Sequence, residues 1–447
     1  MMFLLMSILL IIFVFLLLLY RESFIISFVI ITLVAMPPEV FPDLRPYIHA
    51  LDTLLLGYLF FKEYGLDFKK YPSVPRSVVL LLILLFSSML LSMVFSRYPE
   101  AGIQVILRSF AFFILVYLFY GIITTEREIK VVITTIIIAG VLLAGSVIVD
   151  FLMHGNDISY LVQRIRETNY GLNSNKNITG AYTIIIMPFI IMAFFNSPSG
   201  WKKILLWSAG IIVSLSVILL ASRAALAGIF LGAVIILFFM NKKAFIVLFS
   251  VITVVIIAYS LLPDNLSLDY ALRLNEGLSG HDKFWELGVD MFKKNPIFGI
   301  GTGAYTVEEF NYIPVMLNSY IGESMVEINN LTMTNGSNNS HNFFLVMASD
   351  MGISGIITAV AFFIVIFRIT YQTFKKYKFR TEIIYLLIPI VSVEICLTLR
   401  CFVESNGIFG FGDLKSDLPF WLLFGIVISY FTDRYKILAR NQVEIKG

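Results

Sequence analysis

The chain alternates long, almost uncharged apolar runs with short polar breaks. The runs are Phe3–Tyr20, Phe24–Met36, Tyr47–Phe61, Val78–Phe95, Ala101–Ile122, Val131–Phe151, Thr179–Phe195, Ile204–Ala221, Ala225–Met240, Ala244–Leu262, Phe343–Phe367, Ile383–Leu399 and Pro419–Phe431. An apolar stretch of roughly 18 residues makes a helix able to cross about 30 Å of hydrocarbon. Inside lipid each backbone amide needs a partner within its own segment, so runs of this length predict helices. The period-two alternation of a membrane barrel strand is absent. The second and third runs are short and weak, which puts the expected total at about 12 to 14 spans.

The polar breaks orient the runs. Lys62, Lys69, Lys70 and Arg76 share one break; Lys202 and Lys203 a second; Lys242 and Lys243 a third. Arg368, Lys375, Lys376, Lys378 and Arg380 form the strongest group, and Arg434, Lys436, Arg440 and Lys446 follow the last run. Counting runs from Val78 onward, all five groups fall on one side, which the preference of Lys and Arg for cytoplasmic loops makes the cytoplasmic side. The long segment Pro263–Ser340 then lies outside. It holds ten acidic residues against Arg273, Lys283, Lys293 and Lys294. Within it, Phe284, Leu287, Met291 and Phe292 recur at helical spacing, predicting an amphipathic helix over Lys283–Lys294 that lies at the outer membrane surface. The Asn-rich stretch Asn329–Asn342 reads as irregular loop.

The expected fold is therefore all-α: a polytopic transmembrane helical bundle with one large extracytoplasmic loop containing short amphipathic helices. Its parts are N-terminal spans over 1–77, central spans over 78–262, the large loop over 263–340, and C-terminal spans with a cytoplasmic tail over 341–447. Composition agrees, with 58% hydrophobic and 14% charged residues, against roughly a quarter charged in soluble domains. The net charge of +3 comes from short clusters between runs, not from a basic face, so nothing points to nucleic acid. The first charge is Arg21, so no positive region precedes the first run, which is expected to stay as a span and not to be cleaved as a signal. Cys396 and Cys401 are five residues apart at the end of one run and read as small apolar core residues. The four histidines are scattered, so no metal site and no cofactor is expected.

Two residues carry the candidate chemistry. Arg223 sits in the tight turn Ala221-Ser222-Arg223-Ala224-Ala225 between two runs. An arginine there either snorkels to headgroups or aims its planar guanidinium at a phosphate. His341 opens the run Phe343–Phe367, as a cap or surface residue or as a general base. Arg273, His281 and Lys283 lie in the preceding long segment and suit an anion. Gly299-Ile300-Gly301-Thr302-Gly303 follows no strand and lacks the acidic partner of a dinucleotide fingerprint, so it reads as a turn after the amphipathic helix. Asp52, Arg108 and Glu394 fall within apolar runs, where a functional cavity and an internal ion pair compete as explanations.

Three pieces of sequence make the chain resemble the O-antigen ligase and O-antigen polymerase superfamily of bacterial envelope glycan assembly. They are the Ser222-Arg223 turn, the segment from Trp285 through Asn295-Pro296-Ile297-Phe298-Gly299-Ile300-Gly301, and His341-Asn342 followed after nine residues by Gly352-Ile353-Ser354-Gly355. The third matches the family's pattern of His, then Asn, Ser or Gln, nine residues, Gly, two residues, Gly. The likeness runs from about Val78 to Phe431. It implies a multi-pass protein of the bacterial inner membrane that transfers an undecaprenyl-pyrophosphate-linked oligosaccharide to a sugar hydroxyl on the outer face, without metal and with inversion. Its expected partners are that lipid-linked donor, membrane lipids and a chain-length regulator protein. Arg223 matches a family arginine that holds the pyrophosphate, and His341 the residue that orients or deprotonates the acceptor, with Asn342 beside it. Where the family places an arginine in Gly-Arg-x-x-x-Trp, this chain has Gly280-His281-Asp282-Lys283-Phe284-Trp285, so Arg273, His281 or Lys283 is left to supply the second cation. The divergence at His281 favours a repeat-unit polymerase over the ligase. A lipid-linked oligosaccharide flippase is the alternative of another class, but cations gathered at one face favour a one-sided reaction over a transport path.

Overall fold

The computed structural model describes residues 21–34, 45–153, 171–172, 175–198, 200–220, 222–243, 245–246, 250, 281–305, 307–308 and 340–434. The runs Phe3–Tyr20 and, almost wholly, Ala244–Leu262 lie outside the described residues, as do Arg273 and most of the Asn-rich stretch. The described elements are all helical: α1 (Arg21–Leu33), α2 (Arg45–Tyr64), α3 (Arg76–Val94), α4 (Pro99–Ile122), α5 (Glu126–Met153), α6 (Lys176–Asn196), α7 (Gly200–Leu219), α8 (Arg223–Met240), α9 (His281–Lys294), α10 (Phe343–Lys376), α11 (Thr381–Arg400) and α12 (Leu414–Phe431). Nine of them, α3 to α8 and α10 to α12, are long and apolar enough to cross a membrane. The chain is a polytopic helical membrane protein.

Helix α6 is the axis of the bundle. It packs against α5, α7, α8, α11 and α12, and nearly every residue from Thr179 to Ile190 is buried. A helix apolar all round with so little exposed surface is a core helix, not a lipid-facing one. By contrast α7 turns Ile204, Leu205, Trp207 and Ile218 outward, as a helix on the lipid side of a bundle would.

Because successive spans are joined by short connections, their ends gather into two sets. At one end, the guanidinium of Arg434 donates to the carbonyls of Tyr120 and Gly121, and Arg21 bridges to Glu63 at 2.7 Å. There too Lys376 pairs with Asp433 at 2.6 Å. The described members of the Lys and Arg clusters, up to Arg434, lie at this end. The opposite end carries His341, Arg223, α9 and the turn after α11.

One expected span is not a single straight helix. Within α10, Gly352 adopts φ 62° and ψ −145°, breaking the ladder between a first half, Phe343–Met351, and a longer second half. Such a break strands backbone groups in the middle of the protein, and each must find a partner. The segment Pro296–Gly303 supplies them. Ile300 N donates to Ser349 O at 2.9 Å, Gly301 N to Asp350 O at 3.1 Å, and Ile353 N to the Pro296 carbonyl at 2.9 Å. The Asp350 side chain accepts from Gly303 N at 2.9 Å. From the other side, α3 and the turn after it clamp the same segment: Thr302 Oγ1 donates to Met89 O at 3.1 Å and Ser96 Oγ to Ile300 O at 2.9 Å.

The two glycine-bearing motifs are thus halves of one joint. A Cβ on Gly352 would come to 2.5 Å from the Ile297 carbonyl oxygen, and one on Gly355 would run into the Met347 carbonyl. We expect Gly352→Ala to lower thermal stability by roughly 1–3 kcal/mol, since an L-residue at this φ/ψ is strained whatever the space. Gly145→Ala is the control, because no described atom lies within 4 Å of its Cβ and helix propensity favours alanine. Melting curves of the purified protein in detergent separate the two; equal melting temperatures would remove the joint's structural role.

The amphipathic helix forms as expected, but its apolar face is not spent on lipid. Leu287 and Met291 are buried with Ile300, Ala304 and Tyr305, and α9 packs along α10. The Tyr305 hydroxyl donates back to the Phe284 carbonyl at 3.2 Å. The helical period gave the face correctly and could not tell lipid from protein as its cover. Cys396 and Cys401 are buried and unpaired with each other, as core residues.

Candidate functional site

His341 is presented by a turn that the sequence builds in three steps. Its own φ is 49°, the left-handed region that residues other than glycine seldom occupy. Asn342 then caps α10, its Oδ1 accepting from Leu345 N at 3.1 Å. The same amide donates through Nδ2 to Phe402 O at 2.7 Å, and Phe343 N donates to Cys401 O at 2.9 Å. The start of α10 is therefore bonded twice to the turn after α11. Asn342, an expected substrate contact, has both ends of its amide engaged in holding this geometry.

The imidazole is half-buried. Its Nδ1 lies 3.4 Å from Oε2 of Glu404, which is 4% exposed. The ring of Phe284, from α9, stands 5.7 Å away between centroids. Glu404 itself sits on a turn closed by its backbone N donating to Arg400 O at 2.8 Å.

Arg400 ties this turn to α6. Its guanidinium donates to Asn406 O at 2.5 Å, to Asn406 Oδ1 at 2.7 Å and to Asn177 O at 2.7 Å. Asn177 lies in the first turn of α6, capped by Asn175. One turn further on, Gly180 faces the start of α8: a Cβ there would lie 3.1 Å from Ala225 Cβ and 3.4 Å from Ser222 Oγ. Ser222 caps α8, its Oγ accepting from Ala225 N, and Arg223 is the first residue of that helix, half-buried. A connected series of contacts thus runs from the helix that carries Arg223, through the starts of α6 and α8 and through Arg400 and Glu404, to His341. Helices α6, α8, α10 and α12 all begin at this end, so their N-terminal partial positive charges face the same side, as suits an anion.

Asp417, fully buried, orders the connection between Gly407 and α12 by accepting from Gly410 N at 2.6 Å, Gly407 N at 3.4 Å and Ser416 Oγ at 2.7 Å. Arg108 is exposed on α4 and donates through Nε to Phe411 O at 2.8 Å, so it tethers this connection. Glu394 accepts from Thr370 Oγ1 at 2.6 Å between α11 and α10, well away from the turn. His281 and Lys283 lie in the first turn of α9, which leads directly into the buried Phe284; the positions of their side chains, like that of Asp52, and the whole of Arg273 lie outside the described residues. Among the described residues no group of three or more His, Cys, Asp or Glu could hold a metal ion.

Arg400 and Glu404 were missed in the sequence. The signal present was an Arg and a Glu four apart, directly after an apolar run and before the glycines of Gly407, Gly410 and Gly412. Their partners are distant in sequence, which is why spacing alone did not pick them out.

Among the described residues, nine helices are long and apolar enough to cross a membrane, and His341, Arg223 and several helix N-termini lie at one end of them. The O-antigen ligase family matches residues 207–360, from within α7 through the first part of α10. The match covers part of the chain and supports the resemblance to the O-antigen ligase and polymerase superfamily drawn from His341, Asn342, Gly352 and Gly355. That match supports a function of the O-antigen ligase and polymerase type. Arg223, Arg273, His281, Lys283, His341 and Asn342 all fall inside the matched segment; Arg400 and Glu404 fall outside it. No curated protein matches the chain.

Proposed function

We propose that the protein is a membrane glycosyltransferase that joins undecaprenyl-pyrophosphate-linked oligosaccharide repeat units, of O-antigen or capsule type, on the outer face of the bacterial inner membrane. The observation that carries this reading is the placement of His341 and Arg223 at one end of the bundle, on starts of helices linked through α6 and Arg400. The end bearing His341 faces outward in this reading, and the Lys and Arg clusters face the cytoplasm. Arg223 meets the pyrophosphate, whose leaving oxygen gains charge as the glycosidic bond breaks. His341 accepts the proton of the acceptor hydroxyl. An apolar groove of about 570 Å3 between α6, α7 and α8, lined by Ile190, Phe194, Trp207, Ile211 and Leu237, lies on the half of α8 away from Arg223, where it suits the far part of an isoprenoid chain and not its headgroup.

The ligase reading is favoured by the description of the matched family alone. One assay separates the two. Purified protein in lipid vesicles is given lipid-linked repeat units and nothing else, and the products are run on a gel. A ladder of multiples identifies the polymerase, since donor and acceptor are then one molecule. Transfer only after a lipid-core acceptor is added identifies the ligase. Absence of transfer in both would overturn the reading in favour of a transporter. Product formation is expected to persist in excess chelator, because arginine and helix N-termini supply the positive charge; loss of activity restored by added divalent metal would contradict this.

A further inference from the structure

We infer that Glu404 is the positioning residue of His341, holding the imidazole through Nδ1 so that Nε2 is the nitrogen offered to the acceptor hydroxyl. The inference rests on the glycosyl-transfer reading and extends it beyond the matched segment, to a residue on the turn after α11.

The geometry is set by backbone and not by chance approach of two side chains. Asn342 Nδ2 to Phe402 O and Phe343 N to Cys401 O fix the start of α10 against residues 401–404. The imidazole and the carboxylate therefore face each other at 3.4 Å across a doubly bonded joint. Glu404 is 4% exposed, and a carboxylate so removed from water needs a positive neighbour. Arg400 provides one, since its charge interacts with that of Glu404, and Arg400 is itself anchored on Asn177 and Asn406. A neutral imidazole carries one proton, and the hydrogen bond made by one nitrogen decides what the other can do. With Nδ1–H donated to Glu404, Nε2 is left with its lone pair.

The proton and electron balance is closed. The acceptor O–H breaks and its proton goes to Nε2. The acceptor oxygen bonds the anomeric carbon as that carbon's bond to the pyrophosphate oxygen breaks, and the bonding pair leaves with the pyrophosphate. The imidazolium formed sits beside a carboxylate, which offsets its charge. Glu404 holds its proton partner in place and exchanges none with substrate.

The test uses the full chain in vesicles with two readouts. With lipid-linked repeat units, Glu404→Gln is expected to lower kcat by roughly 10- to 100-fold while KM for the donor stays within about twofold; Glu404→Asp recovers part of the loss. A merely structural carboxylate would instead show reduced protein yield or an altered KM, with kcat retained, and that result would overturn the inference. The second readout needs no sugar substrate: the rate at which diethyl pyrocarbonate acylates His341, followed by peptide mass spectrometry. Glu404→Gln is expected to slow this acylation at a pH where the imidazole is neutral, because Nε2 loses the donor arrangement that makes it basic. An unchanged rate would sink the inference even if wild-type protein transfers glycan. A wild-type protein that fails to transfer while Glu404→Gln still slows acylation would overturn the glycosyl-transfer reading and leave the His341–Glu404 pairing in place.

Discussion

Replacing His341 with alanine is expected to abolish chain elongation, with transfer falling by roughly 10²- to 10⁴-fold, the range for removing a positioned general base. The protein should still insert and accumulate. Its ring is half-buried and touches Phe284 and Glu404, but the joint beneath it is made by other groups. Asn342 caps α10, and Asn342 Nδ2 and Phe343 N bond to the 401–402 carbonyls; none of these is lost in the variant. His341 also sits at φ 49°, which alanine tolerates no better than histidine does. His341→Asn keeps the preference for that backbone region and removes the base, so it separates strain from chemistry. Equal loss of transfer in both variants, at normal protein levels on an immunoblot, is the expected pattern. Glycan of ordinary length in either one would remove His341 from the reaction.

How much of this was legible in the sequence depends on what each feature asks of the chain. The run Thr179–Phe195 became α6, Lys176–Asn196, because a lipid span demands an uninterrupted apolar stretch and hydropathy measures that demand directly. The break in α10 was not legible from hydropathy: Phe343–Phe367 is apolar on both sides of Gly352, and what changes there is a backbone dihedral. The groups that fill the break come from Pro296–Gly303, read in the sequence as a simple turn. Its partner lies across the whole outer segment, and periodicity has no access to pairing over that distance.

The same limit acts on the site. His341 and Arg223 are candidates because one opens an apolar run and the other interrupts two of them, local anomalies that stand out against lipid-facing sequence. Glu404 is ordinary by that measure, an acid in a connecting loop. Only the fold brings it to His341, which precedes it by the length of two spans. Asn342 shows the converse: it was singled out beside His341 as a contact for substrate, and its amide turned out to hold the turn together. A motif residue can matter because it builds the site, whatever else it meets.

Arg223→Ala is expected to reduce transfer by roughly 10²- to 10³-fold, the loss found when a preorganised donor to a developing oxyanion is removed. Arg223 begins α8 and is half-buried. Its loss leaves the Ser222 cap on Ala225 N and the contact of Gly180 with Ala225 intact, so the helix and its packing on α6 are retained. Arg223→Lys keeps the charge but not the planar fork, and a bidentate grip on phosphate oxygens does not survive that exchange. We therefore expect the lysine variant to recover only part of the activity. The two roles open to this arginine give opposite results. A side chain that merely snorkels to headgroups works equally well as lysine, and Arg223→Lys would then elongate glycan at the wild-type rate. A guanidinium aimed at the pyrophosphate makes Arg223→Lys slow and raises the salt sensitivity of what activity remains, since a point charge is screened more readily than a desolvated, doubly hydrogen-bonded one. Initial rates of ladder formation for the three proteins, at low and at physiological ionic strength, decide between them.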